Sequence, residues 1–478
     1  MRTLVMKFGG TSVGSSAAIQ QTVSIVEKQK SQCDNLVVVV SAMSGITDQL
    51  IQSARLAANN DGSGARAIIE QIHNRHLEVI NTLISDPTEK QTLLGVVQER
   101  MDELSSYCQS IQVLGEVTPR GMDVIASLGE RINAQVVSAV IRSSRIGTPS
   151  QAVNASDCII TDRTFQNAVP DMVLSRQKIQ STLNPLFQQK LVPVVTGFLA
   201  ATPEGVITTL GRGGSDYTAA ILADCLDADE VWIWTDVDGV LSADPRVVAD
   251  ARPIPEISFA EVGELAYFGA KVLHPKTIRP VISRNMPLWV KNSFNPEFPG
   301  TRITQNPTRR RGEITAVSTI KDLSILTVEG RGMLGVPGIA ARTFGAVART
   351  GASVLMISQS SSEQSICFTI PSVHNGEVIK SIETEMALEL MRGDIDRVWA
   401  RKHVVIVSII GSGMREIPGV SARIFGALGK NLINVIAIAQ GSSEYSISLV
   451  LDEKDADRAV QAIHAETVRQ AKEVKNGL

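Results

Sequence analysis

Short apolar runs alternate with longer amphipathic stretches along the first two thirds of the chain. Leu36–Val40, Val192–Thr196 and Val231–Trp234 are almost entirely apolar, which predicts strands that are buried on both faces of a sheet. Ala17–Lys30 and Asp216–Ala223 have the pattern of helices. Strands that alternate with helices predict an α/β fold with a mainly parallel sheet sandwiched by helices.

Two stretches depart from this alternation. Residues 54–120 are more charged and more helical in pattern, so we expect an inserted or covering helical region there. Around 295–313 the prolines and glycines become frequent, which marks a domain boundary. The basic run Arg309-Arg310-Arg311 follows Asn306-Pro307-Thr308, and this setting favours a solvated linker over a binding patch.

Beyond this boundary the chain repeats itself with a constant offset. Gly332-Met333 returns as Gly413-Met414 and Phe344-Gly345-Ala346 returns as Phe425-Gly426-Ala427, each pair 81 residues apart. A fixed offset indicates two copies of one supersecondary unit. Each copy is predicted to be of the split βαβ type. The predicted strands lie at 324–328, 353–358 and 364–370 and at 404–410, 434–439 and 445–451, with closing helices at about 375–391 and 453–470.

One glycine motif in the repeats invites a wrong interpretation. The segment 330–335 matches GxGxxG between a predicted strand and a predicted helix, but this motif alone is a weak sign of a dinucleotide site. The second copy has Glu416 where the first has the third glycine, Gly335. We therefore interpret both segments as turns of a small domain.

Composition narrows the class of protein further. The chain has 478 residues, of which 44% are hydrophobic and 20% charged, as in ordinary globular proteins of two or three domains. A net charge of −3 lacks the positive excess that is typical of proteins that bind nucleic acid. Five cysteines without a CxxC pair argue for a reducing cytosol, and no apolar run predicts a membrane span or a signal peptide. We expect a cytoplasmic protein with neither nucleic acid nor membrane as partner.

Several predicted strands end in loops rich in Gly, Lys, Arg and Asp. Lys7-Phe8-Gly9-Gly10-Thr11-Ser12 follows the first strand, and glycines before a helix let backbone N–H groups approach an anion. This motif is not a P-loop and, taken alone, could be a plain turn. Similar loops occur at 208–216, 234–246 and 268–275. They favour a binding site over a plain turn, because ligands of parallel sheets lie beyond the carboxyl ends of the strands. Together these loops favour a site of phosphoryl transfer.

Five motifs in order resemble the signatures of aspartate kinases in the amino-acid kinase superfamily. They are KFGGTSVG (7–14), SAMSGIT (41–47), TTLGRGGSDYTAA (208–220), WTDVDGV (234–240) and FGAKVLHP (268–275). The repeats resemble the tandem ACT domains of the same enzymes, and look closest to threonine-responsive members, including the kinase half of enzymes fused to homoserine dehydrogenase. We expect no dehydrogenase half in this chain. The implied domains are 1–305 (kinase), 306–322 (a linker that could supply a strand of the second ACT unit), 323–395 (first ACT) and 402–472 (second ACT).

The resemblance implies phosphorylation of the β-carboxylate of L-aspartate by MgATP. Because that carboxylate is already ionised at neutral pH, no general base is required. The implied catalytic residues are Lys7, Arg212 and Asp216, with Lys7 on the phosphates as a point charge and Asp216 organising it. The implied aspartate site comprises Ser41, Thr47, Glu130, Arg212 and Ser215, where Arg212 would grip the α-carboxylate as a fork and Glu130 the α-ammonium.

The resemblance also places the nucleotide. The implied ATP-site residues are Lys7, Gly9, Gly10, Ser12, Thr235, Asp236, Leu241, Asp244, Arg246 and Lys271. Leu241 stands where some relatives have a tyrosine, which puts stacking there in doubt. No residue is expected to bind metal directly, since Mg²⁺ would arrive with ATP.

Structural interpretations of the same residues stay open at this point. Asp216 could cap its helix, and Glu130 could form a surface pair with Arg131. His274 is better explained as structural, and Trp232 and Trp234 as packing. Two rival functions also remain: an amino-acid kinase for another substrate such as glutamate, and an inactive sensor of amino acids.

The repeats predict regulation and assembly. Gln359 and Gln440 stand at the positions associated with threonine in the threonine-responsive relatives, and a buried Gln offers both a donor and an acceptor. Gln at a strand end could instead be a turn residue, and lysine or concerted control remains open. Each unit is too small to bury both faces of its sheet, so we expect a homo-oligomer through the ACT domains. In the family the first unit is inserted within the second, so Thr315–Ile320 could belong to the second.

Overall fold

The computed structural model describes residues 2–270, 273, 275–308, 312–333, 336–359, 364–440 and 444–476. These residues divide into two compact units. The first comprises 1–240, 253–259 and 273–307, and the second comprises 241–252, 260–272 and 308–478. Residues 241–252 therefore belong to the same unit as the repeats, although they precede the predicted boundary.

Up to residue 307 the strands and helices alternate, with a helical block in the middle. The strands are β1 (Thr3–Phe8), β2 (Asn35–Val40), β3 (Ser150–Val153), β4 (Val192–Thr196), β5 (Leu199–Ala201), β6 (Ile207–Thr209), β7 (Glu230–Thr235), β8 (Glu256–Ser258), β9 (Leu288–Asn292) and β10 (Thr301–Thr304). The helices are α1 (Ser16–Lys30), α2 (Ile46–Ala58), α3 (Gly62–Leu83), α4 (Pro87–Leu114), α5 (Pro119–Ser143), α6 (Met172–Gln188), α7 (Gly214–Cys225), α8 (Phe259–Tyr267) and α9 (Pro275–Ser283).

Eight of these strands form one sheet in the order β3-β4-β2-β1-β7-β9-β10-β8. β1 lies at the centre and pairs in parallel with β2 and β7, so that Phe8 is opposite both Val40 and Trp234. Among the described residues of this sheet, β9 and β10 form the one antiparallel pair. The predicted class, a mainly parallel sheet sandwiched by helices, is confirmed. The parallel register brings the carboxyl ends of β1, β2 and β7 to one edge.

The predicted helical region between 54 and 120 is present as the end of α2 together with α3 and α4. Their apolar faces pack with α5 and the central strands in one core, in which Leu50, Ile72 and Leu104 are fully buried. α5 is long and apolar enough to cross a membrane by composition, but 83% of its most apolar window is buried within the protein. It is the central helix of the core, and its cap Thr118 accepts a hydrogen bond from Gly121 N at 3.1 Å.

The repeats form the second unit. Its strands are β11 (Ile314–Glu329), β12 (Met356–Gln359), β13 (Ser365–Pro371), β14 (Arg397–Gly411), β15 (Ala437–Ala439) and β16 (Ser446–Asp452), and its helices are α10 (Ile339–Arg349), α11 (Asn375–Glu385), α12 (Ala387–Arg392), α13 (Val420–Lys430) and α14 (Ala456–Asn476). The sheet order is β12-β13-β11-β14-β16-β15.

β11 and β14 are long because each serves both repeats. The first half of β11 pairs with the second half of β14, for example Val317 with Ile409, and completes the second repeat. Through this pairing Thr315–Ile320 lies in the sheet beside the part of β14 that belongs to the second repeat. The second half of β11 pairs with Arg397–Arg401, which supplies a fourth strand to the first repeat that sequence analysis did not predict.

The two repeats cover each other within one chain. Leu323, Ile325 and Met356 from the first repeat form one cluster with Ile406 and Val450 from the second. The helices α10 and α11 cover the other face of the first repeat, and α13 and α14 that of the second. The sister repeat therefore covers part of the sheet face for which a second subunit was expected.

Candidate active site

A cleft of about 380 Å³ opens at the carboxyl ends of β1 and β2, beside the start of α7. It collects loops that are far apart in the sequence. Among the residues predicted for the catalytic and aspartate sites, the structure brings all seven to its lining: Lys7, Ser41, Thr47, Glu130, Arg212, Ser215 and Asp216. Gly10, Ser44, Gly45, Asp48 and Phe198 line the same cleft.

Lys7 and Asp216 form the ionic centre of the cleft. Lys7 Nζ lies 2.5 Å from Asp216 Oδ1, and the two side chains are only 12% and 14% exposed. Gly213, with φ +69°, caps α7 without a side-chain hydrogen bond, so Asp216 is not the helix cap. The carboxylate instead holds the ammonium group in place while leaving part of it accessible from the cleft.

Glu130 supplies a buried carboxyl group to the lining of the cleft. The residue is 3% exposed, so it does not form a surface pair with Arg131, whose guanidinium lies 3.7 Å from Glu103. Oε2 of Glu130 is buried and has no hydrogen-bond partner among the described residues. Burial raises the pKa of Glu130 to about 8, against the opposing effects of a backbone hydrogen bond from Ala42 and the charge of Lys7. An unsatisfied carboxyl facing a cleft is suited to a cationic ligand.

Arg212 presents the opposite chemistry. Its side chain is exposed, and it forms no ion pair within the described part of the chain. Gly211, with φ +77°, precedes it, and Ser215 follows in the first turn of α7. A Cβ at Gly197 would lie 2.6 Å from Ser215 Cβ, so only glycine lets this turn approach. The loop thus offers a guanidinium, a hydroxyl and the amino end of a helix to an anion.

The loops after β1 and β2 are tied together by an arginine that sequence analysis missed. Arg75, in α3, donates to Ser44 O at 2.6 Å and to Gly14 O at 2.9 Å. Ser44 N in turn donates to Gly10 O at 3.1 Å. The helical region that was expected to be an insertion or a cover therefore fixes the loops after β1 and β2 relative to each other. A lone arginine in an amphipathic helix carries no sequence signal for this role.

Residues predicted for the nucleotide site lie in different surroundings. Gly10 lines the cleft, and Gly9 N donates to Trp234 O at 3.1 Å, which joins the loop after β1 to β7. Ser12 is fully buried and its hydroxyl lies 2.8 Å from Ser293 Oγ, so its side chain has a structural role and does not face the cleft. Thr235 and Asp236 lie at the carboxyl end of β7, with the Thr235 hydroxyl 3.2 Å from Asp236 Oδ1.

Three of the predicted nucleotide residues lie in the second unit. Leu241, Asp244 and Arg246 belong to the second unit, where Arg246 Nη2 lies 2.6 Å from Asp244 Oδ2. The hydrogen bond from Arg246 lowers the pKa of Asp244. Lys271 and His274 lie outside the described residues.

The two tryptophans of β7 serve packing, as predicted. Trp234 is 1% exposed and stacks on Phe8 with ring centroids 5.9 Å apart, while Trp232 meets it edge-on at 6.0 Å. Lys291 Nζ lies 5.0 Å from the Trp232 ring and 5.7 Å from the Trp234 ring. Burial lowers the pKa of this lysine.

A second cavity, of about 320 Å³, lies in the first repeat. Gln359 lines it together with Met333, Val336, Pro337, Gly338, Ile339, Ala340 and Ile366. Both Gln359 and Gln440 are exposed, so the expectation of a buried glutamine was wrong. Their amide groups at the ends of β12 and β15 are accessible to a ligand from solution.

Comparison with known proteins establishes the family. Residues 2–292 match the amino acid kinase family, and 326–386 and 407–467 match the ACT domain. The chain is 38% identical over 466 residues to a bifunctional aspartokinase/homoserine dehydrogenase 1 of Zea mays, covering 96% of this chain and 50% of that protein. It is 32% identical over 471 residues to aspartokinase 3 of Arabidopsis thaliana, covering 97% of this chain and 81% of the relative. The chain belongs to the amino acid kinase family, in its aspartokinase branch with tandem ACT domains.

Solved structures agree with this placement. E. coli aspartokinase III in complex with aspartate and ADP, in the R-state, matches with a TM-score of 0.80 at 29% identity, covering 97% of this chain and 99% of that one. The same enzyme in complex with lysine and aspartate, in the T-state, matches with a TM-score of 0.77 at 29% identity and the same coverage. The chain spans about half the length of the bifunctional relatives that it matches.

Proposed function

We propose that this chain is an aspartate kinase, which transfers the γ-phosphoryl group of ATP to the β-carboxylate of L-aspartate. The observation that carries the proposal is the pairing, in one cleft, of an accessible guanidinium on Arg212 with a buried, unsatisfied carboxyl oxygen on Glu130. An α-amino acid presents the complementary pair, a carboxylate and an ammonium. The similar E. coli enzyme that binds aspartate and ADP supports the same interpretation.

The two charged groups recognise the α-carbon end of the substrate. Arg212 takes the α-carboxylate in a two-pronged contact, and Glu130 takes the α-ammonium. The hydroxyls of Ser41, Thr47 and Ser215 line the same cleft and are available to the remaining oxygens. The β-carboxylate is then free to react. This division explains how one of two chemically similar carboxylates is selected.

Phosphoryl transfer needs charge stabilisation more than proton transfer. One oxygen of the β-carboxylate forms a bond to the γ-phosphorus, the bond between that phosphorus and the β–γ bridging oxygen breaks, and ADP leaves with the electron pair. No proton moves, because the attacking carboxylate has a pKa near 3.9. Lys7, held 2.5 Å from Asp216, contributes a fixed positive charge to the transferring group.

A magnesium ion fits this site as a companion of the nucleotide. In the described part of the chain, no three acidic, histidine or cysteine side chains converge to hold a metal. Asp216 lines the cleft, and Asp236 directly follows β7. When bound with ATP, Mg²⁺ would neutralise charge on the β- and γ-phosphates.

The second unit is proposed to sense an amino acid. The cavity beside Gln359 has room for a small ligand, and an accessible amide there can pair with the ammonium and carboxylate of an amino acid. Threonine remains our proposed effector, because the repeats resemble those of threonine-responsive relatives. The similar E. coli enzyme binds lysine, which makes lysine the alternative to test.

Two further proposals concern the setting of the enzyme. A homo-oligomer through the ACT units is supported by the edge strands β12 and β15, which expose Ile357 (50%) and Ile438 (46%) at equivalent positions of the two repeats. A cytoplasmic location is supported by the five cysteines, all of which are free.

Trapping of the acyl phosphate tests the proposed activity. With MgATP, hydroxylamine and either aspartate or glutamate, the purified protein should form aspartyl hydroxamate and little glutamyl hydroxamate. Preference for glutamate would replace the substrate assignment, and the absence of hydroxamate with both would indicate a sensor without kinase activity.

A further inference from the structure

Asp123 holds a buried carboxylate that neither the sequence motifs nor the cleft lining includes. It is 1% exposed and lies near the start of α5. Oδ1 accepts from the Thr209 hydroxyl at 2.8 Å, and Oδ2 accepts from Thr209 N at 3.0 Å and Gln166 N at 2.9 Å. The two N–H partners can only donate and the Thr209 hydroxyl donates here, so an ionised carboxylate, which only accepts, satisfies all three. Burial raises the pKa of Asp123 although these hydrogen bonds oppose the shift.

The partners of Asp123 form the support of the Arg212 loop. Thr209 ends β6, three residues before Arg212, and its carbonyl accepts from Ala168 N at 2.9 Å. Gln166 adopts φ +66°, a conformation that is strained for a residue with a side chain. A Cβ on Gly211 would lie 2.9 Å from Gln166 O, so the loop rests directly on this segment. Asp123 therefore fixes both the strand that leads into the loop and the surface below it.

The same helix also carries Glu130. Asp123 and Glu130 are seven residues apart, which is about two turns or roughly 10 Å along the axis, so both project from one face of α5. Glu130 enters the cleft directly, whereas Asp123 reaches Arg212 through Thr209. One helix thus carries Glu130 directly and supports the loop of Arg212 through Asp123, and both Glu130 and Arg212 line the cleft.

We propose that Asp123 is a positioning residue that fixes the separation between Arg212 and Glu130, and thereby sets the affinity for the amino-acid substrate. This inference rests on the proposed function, in which those two groups bind the α-carboxylate and the α-ammonium. Asp123 does not touch either substrate. Loss of its carboxylate should therefore affect the aspartate site selectively, because its hydrogen bonds go to Thr209 and Gln166 and not to Lys7 or Asp216.

Substitution of Asp123 by Asn tests the proposal. The neutral amide keeps only one acceptor oxygen and carries no charge, so Thr209 N and Gln166 N lose their charged acceptor, and the Thr209 hydroxyl keeps its contact only if it reverses from donor to acceptor. The Michaelis constant for aspartate should rise at least about tenfold, whereas that for ATP should stay within about twofold. Calorimetry with aspartate in the absence of ATP should show the same loss of affinity, without contribution from turnover.

Asp162→Asn provides a matched control in the same segment. Asp162 accepts three hydrogen bonds, from Thr164 N, the Thr164 hydroxyl and Val169 N, but does not contact Thr209. If Asp123 merely stabilised the 162–170 segment, both variants would weaken aspartate binding equally. Thr209→Val, which removes only the hydroxyl bond, should give a smaller rise in the same Michaelis constant and serves if Asp123→Asn does not fold.

The inference is overturned if Asp123→Asn or Thr209→Val leaves the Michaelis constant for aspartate unchanged, or raises the Michaelis constants for aspartate and ATP together. It is also overturned if Asp162→Asn raises the Michaelis constant for aspartate by the same factor. A wild-type protein without aspartate-dependent phosphorylation would overturn the proposed function itself. If the wild type is active and Asp123→Asn has the same Michaelis constant for aspartate, only this inference is overturned.

Discussion

Glu130 should make aspartate binding release a proton. Its buried carboxyl has a pKa of about 8 in the free protein, and an ammonium ligand favours the ionised form. At pH 7 a group with this pKa is only about 10% ionised, so the apparent affinity should be about tenfold weaker than at about pH 9. Binding at pH 7 should release close to one proton per aspartate.

Calorimetry in buffers of different ionisation enthalpy measures this proton directly. At pH 7 the apparent binding enthalpy should differ between phosphate and Tris, and the dissociation constant should fall as the pH rises from 6 to 8. Glu130→Gln should bind aspartate about 10- to 100-fold more weakly, as expected for a lost charged hydrogen bond, and should show no buffer dependence. A wild type whose binding enthalpy is independent of the buffer would refute the reasoning.

The same pKa shift also has a consequence for stability. Because the pKa of Glu130 is raised in the folded state, its contribution to stability is fully present below the ordinary pKa of about 4.5 and is lost as the pH rises towards 8. Glu130→Gln has no ionisable group at this position and does not lose this stability as the pH rises. The variant should therefore gain thermal stability relative to the wild type between pH 5 and pH 8.5, and a difference in melting temperature that does not grow with pH would contradict the assigned pKa.

Three further predictions follow from the two sites. Lys7→Ala should lower turnover by a factor of about 10² to 10³ in steady-state kinetics, because it removes an oriented charge. Lys28→Ala, which removes a lysine on the surface, should leave turnover unchanged. Arg212→Lys keeps the charge but loses the fork, so the Michaelis constant for aspartate should rise before that for ATP, and equal rises would indicate general distortion. Gln359→Ala should relieve inhibition by threonine with uninhibited turnover nearly intact, and comparison with Gln440→Ala shows which repeat binds the effector. A wild type that neither binds nor responds to millimolar threonine refutes that effector and leaves lysine to be tested.

The sequence predicted the elements whose signal is local. Val192–Thr196 is a strand with the predicted bounds, and the constant offset between the repeats identified two related units. The seven predicted residues that line the cleft were implied by the resemblance to aspartate kinases. The position of Lys7 and Ser41 also follows from the sheet itself, because parallel strands bring their carboxyl ends to one edge.

Features that depend on pairing between distant segments were not predicted. Arg397–Arg401 becomes the fourth strand of the first repeat only because β11 offers it an edge. Asp123 acts through Thr209, 86 residues away in the sequence, although its spacing of seven from Glu130 on one helix was a signal that could have been used. Ser12 has the motif position of a phosphate contact, but its hydroxyl is bonded to Ser293 in the interior.

The central claim is that the β-carboxylate of aspartate is the group that becomes phosphorylated, because Arg212 and Glu130 hold the other end of the molecule. Reduction of the reaction mixture with borohydride converts an acyl phosphate into an alcohol and so records which carboxylate reacted. Phosphorylation of the β-carboxylate predicts homoserine as the ATP-dependent product. Formation of 3-amino-4-hydroxybutanoate, or of no alcohol, would contradict the account.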